Sequence, residues 1–198
     1  MDKNLIIEFL LRSQELDRLL DLPLIPLFSG RSTCLRLREN AEIVHVLLSK
    51  SDETVFAQFD PTAVALSRLP SQIGKLLVKS RTRFNIKPLD VAQVTAYVRT
   101  ARSKFAPTDR QTGTWPWTQT RDWLALFWTW IADCDFGEDL FLALKSMPLL
   151  PTTMGNLRSP EQHVFFYPTD MATERREALA NVGIRFVDPA IQIGRAHV

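Results

Sequence analysis

Histidine and cysteine are the residues of this chain most able to bind a metal ion or to act as nucleophiles, and both are scarce. The 198-residue sequence holds three histidines and two cysteines. Cys34 and Cys134 lie far apart, and neither cysteine nor carboxylate spacing completes a metal site around His45 or His163. We therefore predict structural roles for both histidines, reduced and buried cysteines, and no metal or other cofactor.

Serine chemistry and phosphate binding have equally little support in the residues. The nucleophile elbow Gly-x-Ser-x-Gly does not occur in the sequence. The segment 29–33 places hydroxyl side chains beside Gly30, yet it lacks the lysine and the second glycine that surround a phosphate. Serine, histidine and aspartate residues occur elsewhere in the sequence, but no spacing among them indicates a catalytic triad. We predict that this chain is not an enzyme.

A basic stretch could bind nucleic acid or an acidic partner, because clustered lysine and arginine side chains neutralise phosphates. Its basic residues are Lys75, Lys79, Arg81, Arg83, Lys87, Arg99, Arg102 and Lys104. The positions flank apolar helix faces, so a solvated rim also explains them. The acidic residues Asp133, Asp135, Glu138 and Asp139 follow, and the two regions could be complementary faces between stacked units. The whole chain is nearly balanced, with a formal net charge of +2.

Five tryptophans raise the question of ring stacking on bases or sugars. Trp123 and Trp128 belong to an apolar stripe at helical spacing, together with Phe127 and Ile131. Aromatic side chains in such a stripe usually pack in a core, where each buries about 150–250 Å². We therefore predict a core helix here. Trp130 falls off the stripe, and we predict that it contacts a neighbouring module.

The elements that would position these residues are organised around two similar segments, 125 positions apart. LPLIP is followed four places later by a glycine, and so is MPLLP. Each segment precedes an apolar run that begins His-Val and, further on, an Asp-Pro step. Proline fixes φ and glycine accepts the positive φ of tight turns, so each segment predicts a hairpin. The motif residues are Pro23, Pro26, Gly30 and Asp60 in the first copy, and Pro148, Pro151, Gly155 and Asp188 in the second.

Hydrophobic periodicity and capping residues predict the remaining elements. Residues 3–20 indicate an amphipathic helix, whose apolar residues at helical spacing are Leu5, Ile6, Phe9, Leu10, Leu16, Leu19 and Leu20. Asp90, with Gln93 three positions later, predicts the start of another helix. Further predicted elements are strands over 43–48 and 55–59, a helix from Ser71, an exposed loop over 106–117, a helix over 138–146, a strand over 163–167, a helix over 174–181 and a strand over 184–187.

We therefore predict an α+β fold that is mainly helical, with two small mixed β units related as an internal repeat. Each β unit is a hairpin plus a strand–helix–strand segment. Residues 1–64 form the first repeat unit, 65–119 a helical connector and loop, and 120–192 the tryptophan-rich helices with the second unit. Residues 193–198 match one reading frame of a common sequencing adapter, ATC GGA AGA GCA CAC GTC. We interpret them as a cloning or assembly scar, and we expect the natural protein to continue past residue 192.

A helix that leads into LPLIPLFSG or MPLLPTTMG, followed by the strand HVFFY and by LANVGIRFVDP, resembles the internal repeat of sacsin-like proteins. The resemblance covers roughly residues 5–64 and 120–191, while residues 65–119 agree in length and helical character. The first copy departs from the pattern at Phe28-Ser29, where an acidic or amide residue beside the glycine is usual. Proteins of this family are very large and carry GHKL-type ATPase modules, of the type found in the ninety-kilodalton heat-shock chaperones, followed by long repeat regions.

The resemblance implies a repeat region outside the ATPase module. The sequence has neither the glutamate- and asparagine-bearing helix nor the Asp-x-Gly-x-Gly loop of that module, so no catalytic residue carries over. The implied role is a scaffold in protein quality control, in the cytoplasm and without a membrane. The implied partners are other modules of the same large protein, and protein clients or chaperones. The alternative hypothesis is a nucleic-acid-binding module that uses the basic helices at 75–104.

Overall fold

The chain divides into two units, residues 1–100 and 101–198. The computed structural model describes residues 3–12, 21–34, 43–57, 66–79, 86–162, 164, 172–182, 184–189 and 191. Helices and small two-stranded sheets together make a mixed α+β fold, which confirms the predicted class. The boundary between the units falls near the end of a helix, inside the predicted connector 65–119.

The first unit combines four helices and four short strands among its described residues. These are α1 (Lys3–Arg12), β1 (Ile25–Pro26), β2 (Ser32–Thr33), β3 (Val44–Val46), α2 (Lys50–Phe56), α3 (Ser71–Lys79), β4 (Ile86–Pro88) and α4 (Val91–Arg102), the last of which crosses the boundary. β1 and β2 form an antiparallel hairpin, whereas β3 and β4 pair in parallel. The connection between β3 and β4 contains α2 and α3, as a parallel pair requires a long crossover.

The core of the first unit forms where the hairpin, the parallel pair, α1 and α3 meet. Its buried members are Ile7, Ile25, Leu27, Val44, Val46, Leu69, Ile73, Leu77 and Ile86. The strand predicted over 43–48 is confirmed at Val44–Val46, and all three of its residues are buried. A continuous buried run of this kind is typical of a parallel strand. The sequence did not indicate the partner strand β4.

The helix α1 buries only part of the apolar stripe that the sequence predicts, because Ile6 packs against the core of the first unit while other members of the stripe do not. Ile7 is completely buried, but Leu5 and Phe9 are 64% and 67% exposed. α1 is confirmed from Lys3 to Arg12, and the rest of the predicted helix, 13–20, lies outside the described residues. Leu5 and Phe9 therefore lie on the surface of the first unit, whereas Ile6, Ile7 and Leu11 face its core.

The strand predicted over 55–59 is wrong for its described part, because residues up to Phe56 belong to the helix α2. Ser49 caps this helix by accepting a hydrogen bond from the backbone N–H of Asp52 at 3.0 Å. In return, the carboxylate of Asp52 accepts from the backbone N–H of Ser49 at 2.9 Å. This reciprocal capping box supports helix formation in spite of the β-branched residues Thr54 and Val55.

Among its described residues, the second unit contains three helices and a second hairpin. These elements are α5 (Trp117–Asp133), α6 (Gly137–Leu144), β5 (Leu150–Pro151), β6 (Leu157–Arg158) and α7 (Thr173–Asn181). The helices predicted over 138–146 and 174–181 are confirmed within two residues at each end. The predicted strand 163–167 falls almost entirely outside the described residues. Within the described part of the chain, no helix has the length and apolar character needed to cross a membrane.

Aromatic rings make up much of the core of the second unit. Trp123 and Phe127 stack with their ring centroids 4.8 Å apart, and both are buried, as predicted. Trp130, however, is buried between the rings of Phe127 and Phe136, so its predicted role as an exposed contact is wrong. Trp130 follows Phe127 by three positions and therefore shares its face of the helix. The loop predicted to be exposed over 106–117 is also partly buried, through the ring of Trp115.

Candidate functional site

The two proline-bracketed hairpins share the same strand register. β1 pairs with β2, and β5 with β6, in antiparallel ladders of two residue pairs each. Every paired residue of the second hairpin lies 125 positions after its counterpart in the first. Pro26 and Pro151 occupy equivalent places in these ladders, and neither peptide bond is cis. Pro23 is exposed and Pro148 is half-buried, just before each hairpin begins.

The two hairpin turns also use the same hydrogen bonds. Gly30 has φ of 82° and Gly155 has φ of 69°, a conformation that favours glycine. In each turn, the glycine N–H donates to the carbonyl three positions earlier, at 3.0 Å. The residue at that earlier position donates to the carbonyl just after the glycine, at 2.8 Å. The predicted tight turns are confirmed, including the first, where the residues beside the glycine departed from the family pattern.

A third segment of chain extends both hairpins in the same way. The backbone N–H of Arg68 donates to the carbonyl of Pro26, and that of Asp188 donates to the carbonyl of Pro151, both at 2.9 Å. In a second hydrogen bond of each hairpin, the hairpin donates and the third segment accepts. The backbone N–H of Phe28 donates to the carbonyl of Leu66 at 2.9 Å, and that of Thr153 donates to the carbonyl of Phe186 at 3.0 Å. The third segments lie 120 positions apart, so the counterpart of Asp188 is Arg68. Asp60, the predicted counterpart, lies outside the described residues.

The hairpins differ in the side chains that cover them. In the first, the guanidinium of Arg68 lies 5.1 Å from the ring centroid of Phe28 and donates to the Phe28 carbonyl at 3.1 Å. In the second, the backbone N–H of Asp109 donates to the carbonyl of Gly155 at 3.0 Å. A Cβ built on Gly155 would lie 2.8 Å from the carboxyl carbon of Asp109, whereas a Cβ on Gly30 meets nothing within 4 Å.

Alanine substitution at the two glycines separates backbone strain from steric contact. Gly30→Ala is expected to cost about 1–2 kcal/mol, because an L-residue is strained at this φ. Gly155→Ala should cost more, since its Cβ must also displace the Asp109 carboxylate. Denaturant unfolding measures both values. In an Asp109→Ala background, the extra stability loss of Gly155→Ala over Gly30→Ala should disappear. If the two alanine variants lose the same stability in the native background, the Asp109 carboxylate does not obstruct a side chain at position 155.

His45 lies in β3, and its side chain is buried against the neighbouring strand. Its side chain is 1% exposed, and Nδ1 lies 3.0 Å from the carbonyl oxygen of Pro88. Because a carbonyl only accepts, Nδ1 carries the proton, and Nε2 has no hydrogen-bond partner among the described residues. Burial lowers the pKa of His45, while the Pro88 carbonyl and the nearby Asp90 raise it and Lys87 lowers it. The side chain of His45 is thus buried and bonded to the backbone, in agreement with the structural role predicted for it, and His163 lies outside the described residues.

The stability of the first unit should therefore fall as the pH drops below about 6.5, the ordinary histidine pKa. Below that pH the unfolded chain binds a proton at His45 that the folded chain resists, with a limiting slope of about 1.4 kcal/mol per pH unit. Urea unfolding between pH 7.5 and 5.5 measures this change. His45→Gln cannot titrate and should flatten the profile. An unchanged profile in that variant would show that another group is responsible.

The predicted basic surface is distributed over several elements. Lys75 and Lys79 are exposed on α3, one turn apart. Lys87 is exposed on β4, Arg99 and Arg102 are exposed on α4, and Lys104 is half-buried after that helix. Arg81 and Arg83 lie outside the described residues. Lys75 and Lys79 also line a groove between α3 and α1, together with Arg12.

Neither cysteine forms a disulfide, and both are half-buried rather than buried. The thiol of Cys34 donates to the carbonyl of Asp21 at 3.2 Å. In the residues that the structure describes, no group of three or more histidine, cysteine or carboxylate side chains is gathered as a metal site would require.

Comparisons with known proteins give no match to this chain, whether with family models, curated proteins or solved structures. The chain's own internal features are therefore the basis for inferring its role. The hairpins are the most informative of them, because their agreement extends over strand register, turn geometry and the third segment.

Proposed function

We propose that this chain is a non-catalytic structural and protein-interaction segment of a large, sacsin-like, chaperone-associated protein. The observation that carries the proposal is the correspondence between the two hairpins. The two hairpins agree in strand register, in a glycine with positive φ and in the pairing with a third segment. Agreement in all three features is not expected of two unrelated segments. The correspondence supports an internal repeat, and an array of repeats is an architecture suited to binding and holding other proteins.

Two of the scarce histidine and cysteine side chains contact backbone carbonyls of the fold, which supports a structural role. The imidazole of His45 is buried against the Pro88 carbonyl, and the thiol of Cys34 donates to a backbone carbonyl. The tryptophans at positions 123, 128 and 130 are buried in the second unit. In this proposal the partners are other modules of the same protein, and protein clients or chaperones, and the location is the cytoplasm.

Recovery of the uninterrupted coding sequence on both sides tests this proposal most directly. We expect further copies of the Pro-x-x-Pro-x-x-x-Gly hairpin and a GHKL-type ATPase module upstream. A short open reading frame with no further copy would contradict the assignment. The chain should also lack ATP hydrolysis by itself, and the restored protein should hydrolyse ATP at the upstream module.

A nucleic-acid-binding module is the second candidate function. The observation in its favour is the exposure of Lys75, Lys79, Lys87, Arg99 and Arg102. Contacts from such residues to phosphates release counterions, so affinity should fall steeply as salt rises. A mobility-shift titration with single- and double-stranded probes at low ionic strength measures this. The absence of a shift there would remove the candidate.

A further inference from the structure

The outer face of α3 combines exposed positive charge with exposed apolar surface. Leu76 is 41% exposed, and Lys75 and Lys79 flank it on the same helix. The groove beside this face has a volume of about 310 Å³ and is also lined by Ile73 and by Arg12 of α1. Arg12 is paired with a glutamate on its own helix, but Lys75 and Lys79 form no ion pair with any described residue.

The outer face of α6 has the opposite charge around a similar apolar centre. Leu142 is 53% exposed, and Glu138 and Asp139 are exposed one turn before it. Neither carboxylate pairs with a described residue, whereas Lys145 at the end of the helix is compensated by Glu161 at 3.5 Å. α6 therefore presents an acidic face centred on a leucine, and α3 presents a basic one.

The favourable effect of charges at helix ends explains only part of this pattern. Acidic residues in a first turn and basic residues in a last turn stabilise a helix, which accounts for Glu138, Asp139 and Lys79. It does not account for Lys75 in the middle of α3, nor for a half-exposed leucine on each face. Complementary charge around two apolar centres is the pattern of a contact between proteins.

We propose that the α3 face of one copy of this chain binds the α6 face of a second copy. The two faces are different surfaces of the chain, so the contact is heterologous, with the α3 face of one copy on the α6 face of another. The biological role of this contact rests on the proposed scaffold function. Successive repeat segments of a long protein could join through the same two faces. The chain itself supplies both faces, so the contact can be tested without the parent protein.

Sedimentation velocity of the complete chain over a range of concentrations measures this contact. We expect association that grows with concentration at low salt and is lost near 1 M salt, where the screening length falls to about 3 Å. Lys75→Glu with Lys79→Glu should weaken self-association about tenfold or more, because two attractions become repulsions. Glu138→Lys with Asp139→Lys should do the same.

Mixing the two charge-reversed variants gives the decisive result. The reversed α3 face of one variant then meets the reversed α6 face of the other, so association should return in the mixture and in the chain that carries all four changes. Matched controls reverse two exposed charges elsewhere in each unit, Lys87→Glu with Arg99→Glu and Glu174→Lys with Glu177→Lys. These controls should associate like the native chain.

Three outcomes would overturn the inference. The native chain could remain monomeric at low salt, or the controls could weaken association as much as the paired reversals. Mixing could also fail to restore association while circular dichroism shows every variant to be folded. If Lys75→Glu with Lys79→Glu instead abolishes nucleic-acid binding and leaves self-association intact, the α3 face is a nucleic-acid surface. None of these results depends on finding further repeats in the coding sequence, so the proposed function is judged separately.

Discussion

Trp128→Ala is expected to lower the stability of the second unit by about 3–5 kcal/mol from the lost packing alone. The ring is 1% exposed and lies against Phe127 and Phe141. Its Nε1–H donates to the carbonyl of Leu149 at 2.9 Å, so the substitution also leaves a buried carbonyl without that donor, at about 1–3 kcal/mol. Because whole domains have only about 5–15 kcal/mol, this change should leave the second unit substantially unfolded.

Two further variants separate the causes of this loss. Trp128→Phe keeps an aromatic ring and removes the donor, so it should show mainly the hydrogen-bond part, about 1–3 kcal/mol. Trp117→Ala removes a half-buried ring from the start of the same helix and should cost about 1 kcal/mol. Hydrogen exchange in residues 101–198 measures all three. A loss below about 1 kcal/mol for Trp128→Ala would contradict its core position.

Gly137→Ala should destabilise the second unit by at least about 3 kcal/mol, a large effect for a single methyl group. A Cβ at this position would lie 2.0 Å from the carbonyl oxygen of Ile131. That oxygen accepts the backbone N–H of Cys134, which ends α5, so it cannot turn away as a side chain could. Either the end of α5 or the start of α6 must move. Denaturant unfolding followed by tryptophan fluorescence measures the change.

Gly74→Ala is the matched control, because it is the same substitution in another helix. Gly74 lies inside α3, and a Cβ there would be 3.4 Å from the nearest atom, the Cβ of Val46. Alanine gains up to about 1 kcal/mol over glycine in a helix interior, so this variant should be neutral or more stable. If both variants lose the same stability, the close approach at Ile131 is not the reason that position 137 is a glycine.

The sequence predicted the elements whose causes lie in neighbouring residues. Pro26 and Gly30 fix the strand and the turn of the first hairpin within five positions, and Pro151 and Gly155 do so in the second. Asp90 starts α4 by accepting the backbone N–H of Gln93 at 2.9 Å, as the capping pattern indicates. Such signals depend on φ preferences and on short-range hydrogen bonds, so they can be recognised without knowledge of the fold.

At two places the sequence contains signals that point in different directions. Ser49 and Asp52 form a capping box, whereas the β-branched residues that follow favour a strand over 55–59. Trp130 lies off the apolar stripe of α5, but it follows Phe127 by three positions and shares its face of the helix. In both cases the helical spacing outweighed the local preference, because burial of the apolar face supplies most of the stabilisation.

The candidate surfaces were predictable only in part. The basic and acidic regions are visible as clusters of charge, but the sequence does not say which lysines flank an exposed leucine. Leu76 and Leu142 are exposed while Leu77 and Leu144 are buried, a difference that depends on what packs against each helix. The stripe of Leu5 and Phe9 on α1 was expected in the core for the same reason.

The sequence by itself determined most of the helices, the two proline-bracketed hairpins and their 125-position spacing, because proline, glycine and capping residues act on their own neighbourhood. Only the tertiary structure decided the parallel partner of β3, the third segment of each hairpin and the faces left exposed. A pairing of one to three residues has no periodicity to recognise, and its partner lies tens of positions away in the chain. These features depend on contacts between distant residues, and such contacts exist only once the chain has folded.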